Sequence, residues 1–203
     1  MKNNPTKSGF FPKIVAISKN KPQHMVRSAL DCGVRTFGEN RVQEAISKFS
    51  DLKKSIKDIE LHLTGPLQRN KVKDALKIFD IFQTLDSERL AKQFVKYLDL
   101  NDDKKFFIQI NIGEEAQKSG IATKDSNEFI KYCKNDLGLR IIGLMCIPPL
   151  EKNPSNYFLK LKEIALKNNL NNLSMGMSAD YKIAVKSGAT HIRIGTLLFG
   201  KRE

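Results

Sequence analysis

The chain has 203 residues, 40% hydrophobic and 28% charged, a balance that supports an ordinary globular protein with one sizeable core. Its formal charge of +13 comes from lysines dispersed among acids and apolar residues, with no arginine–aromatic patch, which argues against a nucleic-acid partner. No apolar run reaches the roughly 20 residues of a membrane span, and "MKNNPTKSGFF" has no apolar signal core, so neither a membrane nor secretion is expected.

Short β-branched runs alternate with helical patterns along the chain. Strands are predicted near 13–19, 35–39, 60–65, 81–86, 105–112, 140–147, 172–176 and 191–195. Residues 22–33 begin with Pro22, end at Gly33 and place Met25, Val26, Ala29 and Leu30 on one helical face. Residues 88–98, 157–167 and 181–188 carry similar patterns. About eight strand–helix units predict an α/β fold, a single (β/α)8 TIM barrel over residues 1–203. A doubly wound open sheet is the alternative, because alternation does not decide closure.

Cys32, Cys133 and Cys146 sit apart in apolar segments and read as reduced core residues of a cytoplasmic protein. His24, His62 and His191 have no metal-ligand spacing, and no metal is expected. No nucleophile-elbow, P-loop or dinucleotide-binding pattern occurs.

Barrel chemistry collects at the C-terminal ends of strands. The seventh predicted strand ends in "SMGMS" and the eighth in "RIGT". Loops at these positions frequently bind phosphate, and Gly176, Ser178, Gly195 and Thr196 offer close backbone approach and hydroxyl donors. The first strand ends in Ser18-Lys19. An amine there is desolvated and can form a Schiff base with a carbonyl compound. A carbonyl-bearing phosphate would use both features, either a sugar phosphate or pyridoxal phosphate. Lys21, beside Pro22, reads as a loop residue. In "HIRIGT" the alternation puts His191, Arg193 and Gly195 on one face. Arg193 then points into the barrel and needs an acceptor, either a ligand's pyridine nitrogen or Asp86 or Glu39.

The stretches "AISKNKP", "FGENRVQEA", "HLTGPLQRNK", "FIQINIGEEAQKSGI", "RIIGLMCIPP" and "LSMGMSADYKIAVKSGATHIRIGTLLFGKR" closely resemble, in collinear order, the YggS/PROSC family of pyridoxal phosphate homeostasis proteins. The resemblance implies a modified TIM barrel like the alanine racemase barrel domain, without the second, β-rich domain. It implies that Lys19 carries pyridoxal 5'-phosphate as an internal aldimine. Met177, Ser178, Gly195 and Thr196 match the phosphate contacts, and Arg193 matches the arginine facing the pyridine nitrogen. Asn40 and Met145 match pocket-lining residues, with His62 and Ser174 nearby. Lys118 matches a lysine linked to cofactor hand-over.

The family reads as a non-catalytic carrier and buffer of vitamin B6, so no catalytic residue is expected. Its expected partners are the cofactor and apo enzymes that receive it, and the protein is expected to be a monomer. A small racemase-like enzyme using the same lysine is the alternative. Relative to the family, this chain has a shortened segment before the first strand. Arg41 stands in place of a tyrosine, Leu61 in place of a tryptophan, and Ala179 in place of an acid.

Overall fold

The computed structural model describes residues 11–99, 102–149 and 153–200. The expectations for the segment before Phe11 lie outside the described residues. Eight long-axis strands form in the predicted order: β1 (Lys13–Ile17), β2 (Thr36–Glu39), β3 (Glu60–Leu63), β4 (Ile81–Leu85), β5 (Lys105–Asn111), β7 (Ile141–Cys146), β8 (Asn172–Met177) and β9 (His191–Ile194). A two-residue strand, β6 (Ile121–Ala122), pairs with the C-terminal end of β5 and has no counterpart among the predicted strands.

Every pairing is parallel, and β1 pairs with both β2 and β9 while β4 pairs with β5. These pairings close the sheet into an eight-stranded barrel and exclude the open doubly wound alternative. The predicted helices form as α1 (Gln23–Asp31), α4 (Glu88–Tyr97), α6 (Ser155–Lys167) and α7 (Tyr181–Lys186). Four more α-helices, α2 (Val42–Ser55), α3 (Val72–Ile78), α5 (Ser126–Lys131) and α8 (Thr196–Phe199), and short helical turns at Arg69–Lys71, Thr123–Asp125 and Tyr132–Asp136 complete the described units. Pro22 occupies the N-cap of α1, and Gly33 follows its C-terminus at φ +86°, a conformation that favours glycine.

Side-chain alternation divides the packing into two layers. Outward residues such as Phe37, Leu61, Phe82, Phe106, Ile192 and Ile194 join Val26, Leu30 and Phe49 in the core between sheet and helices. Phe94 of α4 meets Phe82 and Phe106 with ring centroids 4.8 Å away, edge to face, which fixes this helix against β4 and β5. The inward layer contains an apolar group, Ile81, Phe107 and Met145. Beside it lie buried polar residues, His62, Gln83, Ser174, His191 and Arg193. Polar side chains in a barrel lumen require partners, and they find them in one another.

Cys133 and Cys146 are buried thiols, as expected, but Cys32 is exposed. Cys32 is the C-cap residue of α1 and falls off the Val26–Leu30 face, so its apolar neighbours in sequence do not cover it. Burial pushes the Cys133 and Cys146 thiols up to about 12, so neither is a thiolate at neutral pH.

Candidate functional site

Lys19 lies just beyond β1, in the turn Lys19–Asn20, and is half-buried. It lines a cleft of about 230 Å³ with Asn20, Asn40, Arg41 and Glu44. The turn is gripped from behind by α2. Lys48 Nζ donates to the Ser18 carbonyl at 2.7 Å, and Glu44 Oε1 accepts from the Asn20 N–H at 2.5 Å. Asn20 itself takes φ 57°, a region that Asn tolerates better than most residues. Lys48 also bonds Glu39 at 2.9 Å and Glu44 at 2.6 Å, and Ser18 Oγ donates to Glu39 at 2.7 Å. Burial raises the Glu39 carboxyl above its ordinary range, against the opposing effects of Ser18 and Lys48.

Asn40 follows β2 at the same rim. Its Oδ1 accepts from the Thr64 hydroxyl at 3.0 Å, which leaves the NH2 end to face other acceptors. Gly65 follows Thr64, and a Cβ there would stand 2.5 Å from the Asn40 carbonyl oxygen, so "HLTG" needs its glycine for this approach. A wider cleft of about 870 Å³ shares Asn40, Arg41 and Glu44 and extends to Gln68 and Lys71.

The sheet register carries Lys19 toward the two glycine-containing loops. Ala16 of β1 pairs with Ile194 of β9, and the Ile17 carbonyl oxygen lies 3.4 Å from where a Cβ on Gly195 would sit. Gly195 and Thr196 therefore begin beside the strand end that leads into Lys19. On the other side, Met177 of β8 pairs with Arg193. Gly176 takes φ +91°, and a Cβ on it would stand 2.5 Å from the Ala184 side chain, so glycine allows α7 to pack directly under this loop. Asp180 closes the loop: its Oδ1 accepts from the Met177 N–H at 2.6 Å, and its own N–H donates to the Met177 carbonyl at 3.1 Å. Ser178 sits inside that closed turn.

Arg193 is buried in the barrel. It donates to Ser174 Oγ at 2.7 Å and to the Cys146 carbonyl at 2.8 Å. The alternatives that Asp86 or Glu39 pairs with it are not realised: Glu39 bonds Ser18 and Lys48, and no carboxylate is hydrogen-bonded to Arg193 among the described residues. Met145 is fully buried beside Phe107, one residue before that Cys146 carbonyl. His62 lies deeper, with no exposed surface, bonded to Gln83 and Glu60 rather than lining either mouth cleft.

The structure thus brings Lys19 and Asn40 into one cleft, joins Ser174 to Arg193, and sets Met177, Ser178, Gly195 and Thr196 at the C-terminal ends of the adjacent strands β8 and β9. Lys118 is at the rim of another cleft with Gln109 and Asn111, bonded to Glu115 at 2.5 Å. Gln83, Lys48, Glu44 and Asp180 complete the arrangement and were not singled out as site residues from the sequence. Gln83 had a signal, a lone amide in the apolar run "IFQTL"; Lys48 had none beyond a helical spacing to Glu44.

The barrel and its strand-end lysine define a protein of the alanine racemase N-terminal domain class, and the sequence pattern of that family matches residues 11–203. The chain is 38% identical over 201 residues to the pyridoxal phosphate homeostasis protein of Aquifex aeolicus, covering 94% of this chain and 87% of that one. It is 35% identical to the protein of the same name from Escherichia coli K12, covering 98% and 90%. It belongs to the pyridoxal phosphate homeostasis protein family. Among solved structures it is similar to PipY of Synechococcus elongatus. The form without pyridoxal phosphate gives a TM-score of 0.86 at 35% identity over 93% of each chain. The form with pyridoxal phosphate bound gives 0.83 at 34% identity over 93% of this chain and 92% of that one. Alanine racemase from Corynebacterium glutamicum shares the fold, with a TM-score of 0.71 at 15% identity over 94% of this chain and 56% of that one.

Proposed function

We propose that this chain binds pyridoxal 5'-phosphate covalently through Lys19 and serves vitamin B6 homeostasis as a carrier and buffer, without catalysing a reaction of its own. The observation that carries the reading is Arg193, a buried guanidinium at the C-terminal side of the barrel whose described bonds go only to neutral acceptors. The residues present fit the cofactor. Lys19 supplies an amine, the Ser178 and Gly195–Thr196 loops supply hydroxyl and backbone donors for a phosphate, and Arg193 supplies a donor for the ring nitrogen. Asn40 and Met145 would bound the ring and Met177 would join the phosphate contacts, with Ser174 and His62 acting from below through Arg193. The name of the homeostasis relatives and the cofactor named for PipY support the same reading.

When bound, pyridoxal phosphate supplies an aldehyde that condenses reversibly with an amine. The chain's own residues favour holding over turnover. A guanidinium does not give up its proton to a pyridine, so Arg193 keeps the ring nitrogen unprotonated and the ring a weaker electron sink. Tyr97, Tyr132, Tyr157 and Tyr181 all stand in helical segments, so none is offered by a strand end as a second acid–base group. Release from Lys19 would hand the cofactor to apo enzymes that need it, and we read the carrier as a monomer.

Titrating purified protein with pyridoxal phosphate tests this directly. The expected outcome is the visible absorbance of a lysine-bound cofactor at one equivalent, abolished by Lys19→Ala. An unchanged spectrum in wild-type protein refutes the reading.

A further inference from the structure

A chain of hydrogen bonds runs through the barrel from Arg193 to Lys13, and its proton positions follow from the chemistry of its ends. Arg193 has only N–H donors, so Ser174 Oγ accepts from it at 2.7 Å. Ser174 then gives its single proton to its other neighbour, Gln83 Oε1, at 2.6 Å. This bond links β8 to β4, which are not neighbours in the sheet, so it crosses the lumen. With Oε1 engaged, Gln83 turns its NH2 group to His62 Nδ1 at 2.7 Å. An amide nitrogen only donates, so Nδ1 is the bare acceptor. The imidazole proton sits on Nε2, 2.8 Å from Glu60 Oε1. Lys13 closes the chain at the barrel floor, 2.9 Å from the same oxygen.

The reversed amide is ruled out by both ends. It would give Ser174 a second donor and leave its hydroxyl proton no acceptor. It would also require a proton on Nδ1, leaving either a bare Nε2 against the Glu60 carboxylate or a charged imidazolium with no exposed surface. The polarity is therefore single from Arg193 to Glu60, every donor pointing toward the floor, and Lys13 donates to Glu60 from the opposite end.

We propose that Gln83 and His62 are positioning residues for Arg193. They hold the Ser174 hydroxyl turned away from the guanidinium so that it presents a lone pair, and this fixes the guanidinium for a ring nitrogen at the mouth. The proposal rests on the reading that Arg193 faces the pyridine nitrogen of pyridoxal phosphate. Neither residue touches the cofactor; both act through Ser174.

Long-range ¹H–¹⁵N NMR of the cofactor-free wild-type protein at neutral pH comes first. It should show His62 as the neutral Nε2–H tautomer, and a dominant Nδ1–H form or an imidazolium overturns the proposal without any variant. Binding of pyridoxal phosphate is then compared with binding of its 1-deaza analogue, in which C–H replaces the ring nitrogen. Gln83→Leu should weaken pyridoxal phosphate about tenfold while leaving the deaza analogue unchanged. Gln83→Glu, which keeps an acceptor for Ser174, should restore the preference for the ring nitrogen; the new carboxylate at Nδ1 and Glu60 at Nε2 should then hold His62 protonated on both nitrogens. Equal effects on both ligands, or no effect on either, make Gln83 a packing residue and overturn the proposal. Arg193→Leu tested against the same pair separates the two claims. That variant should lose the preference for pyridoxal phosphate over the deaza analogue; if the preference survives, the placement of Arg193 against the ring nitrogen falls, whereas the tautomer result stands by itself.

Discussion

Lys48 reaches from α2 to the carbonyl oxygen of Ser18, 2.7 Å away, and so grips the peptide that leads into Lys19. The same ammonium group bonds both the buried Glu39 and the partly buried Glu44, whose carboxylate holds the Asn20 N–H. Helix α2 thus sets the backbone on both sides of Lys19. Lys48→Met removes the cation and leaves Glu39 buried without its partner. Urea unfolding should show a loss of about 3 kcal/mol, the order seen when one member of a buried pair is deleted. Cofactor titration of the folded fraction should show weakened binding at Lys19. Undiminished affinity would mean the grip does not matter to the site.

The barrel floor predicts acid sensitivity. Burial, with His62 and Lys13 nearby, lowers His191 to about 3, and burial lowers His62 against the pull of Glu60. A base whose folded-state pKa is depressed binds fewer protons folded than unfolded, so its contribution to stability is lost as pH falls below the unfolded value. For His191 that window runs from about 6.5 down to about 3, with a slope of up to about 1.4 kcal/mol per pH unit. Glu60, lowered to about 2 by His62 and Lys13 despite burial, extends the loss from the ordinary carboxylate range toward that value. Urea midpoints should fall between pH 7 and pH 5, and His191→Asn should flatten that fall. An equal fall in the variant would assign the effect elsewhere.

Asp180 fixes the loop that contains Ser178 by accepting from the Met177 N–H at 2.6 Å. Asp180→Ala should loosen the phosphate end of the site and leave the ring end intact. Affinity for pyridoxal phosphate should drop roughly fivefold while pyridoxal, which lacks the phosphate, binds as before; one lost hydrogen bond is of that order. Calorimetric titration with the two ligands separates these outcomes.

A holding role also predicts silence in an exchange assay. Protein loaded with cofactor should not exchange the α-proton of alanine or other amino acids into heavy water beyond the rate shown by Lys19→Ala. Lysine-dependent turnover would favour the racemase-like alternative.

Much of this was legible in the sequence, and the residues show why. The strands were readable because runs such as Ile14-Val15-Ala16-Ile17 and Phe106-Phe107-Ile108 are too apolar and too short for anything but buried strands. Arg193 was readable because alternation placed it opposite Ile192 and Ile194, which do face the outer core. Closure was not readable from alternation alone, since it depends on β4 meeting β5 and β1 meeting β9 across the whole chain; the count of eight units and the family resemblance carried it. Lys48 was hidden because Glu44 and Lys48 at i and i+4 look like a solvent-facing helical pair. The depth of His62 was hidden too: "LHLTG" gives its face, but only the bond to Gln83 on β4 shows how far down the lumen it lies. Cys32 misled because proximity in sequence to Leu30 does not put it on Leu30's face of α1.

The central claim is that Lys19, among many lysines, is the one that holds the cofactor. Borohydride reduction of protein mixed with pyridoxal phosphate, followed by peptide mapping, tests it most directly. The account predicts a phosphopyridoxyl group fixed on Lys19 at near one equivalent. Label on Lys21, Lys48 or Lys118 in place of Lys19, or no label at all, would contradict it.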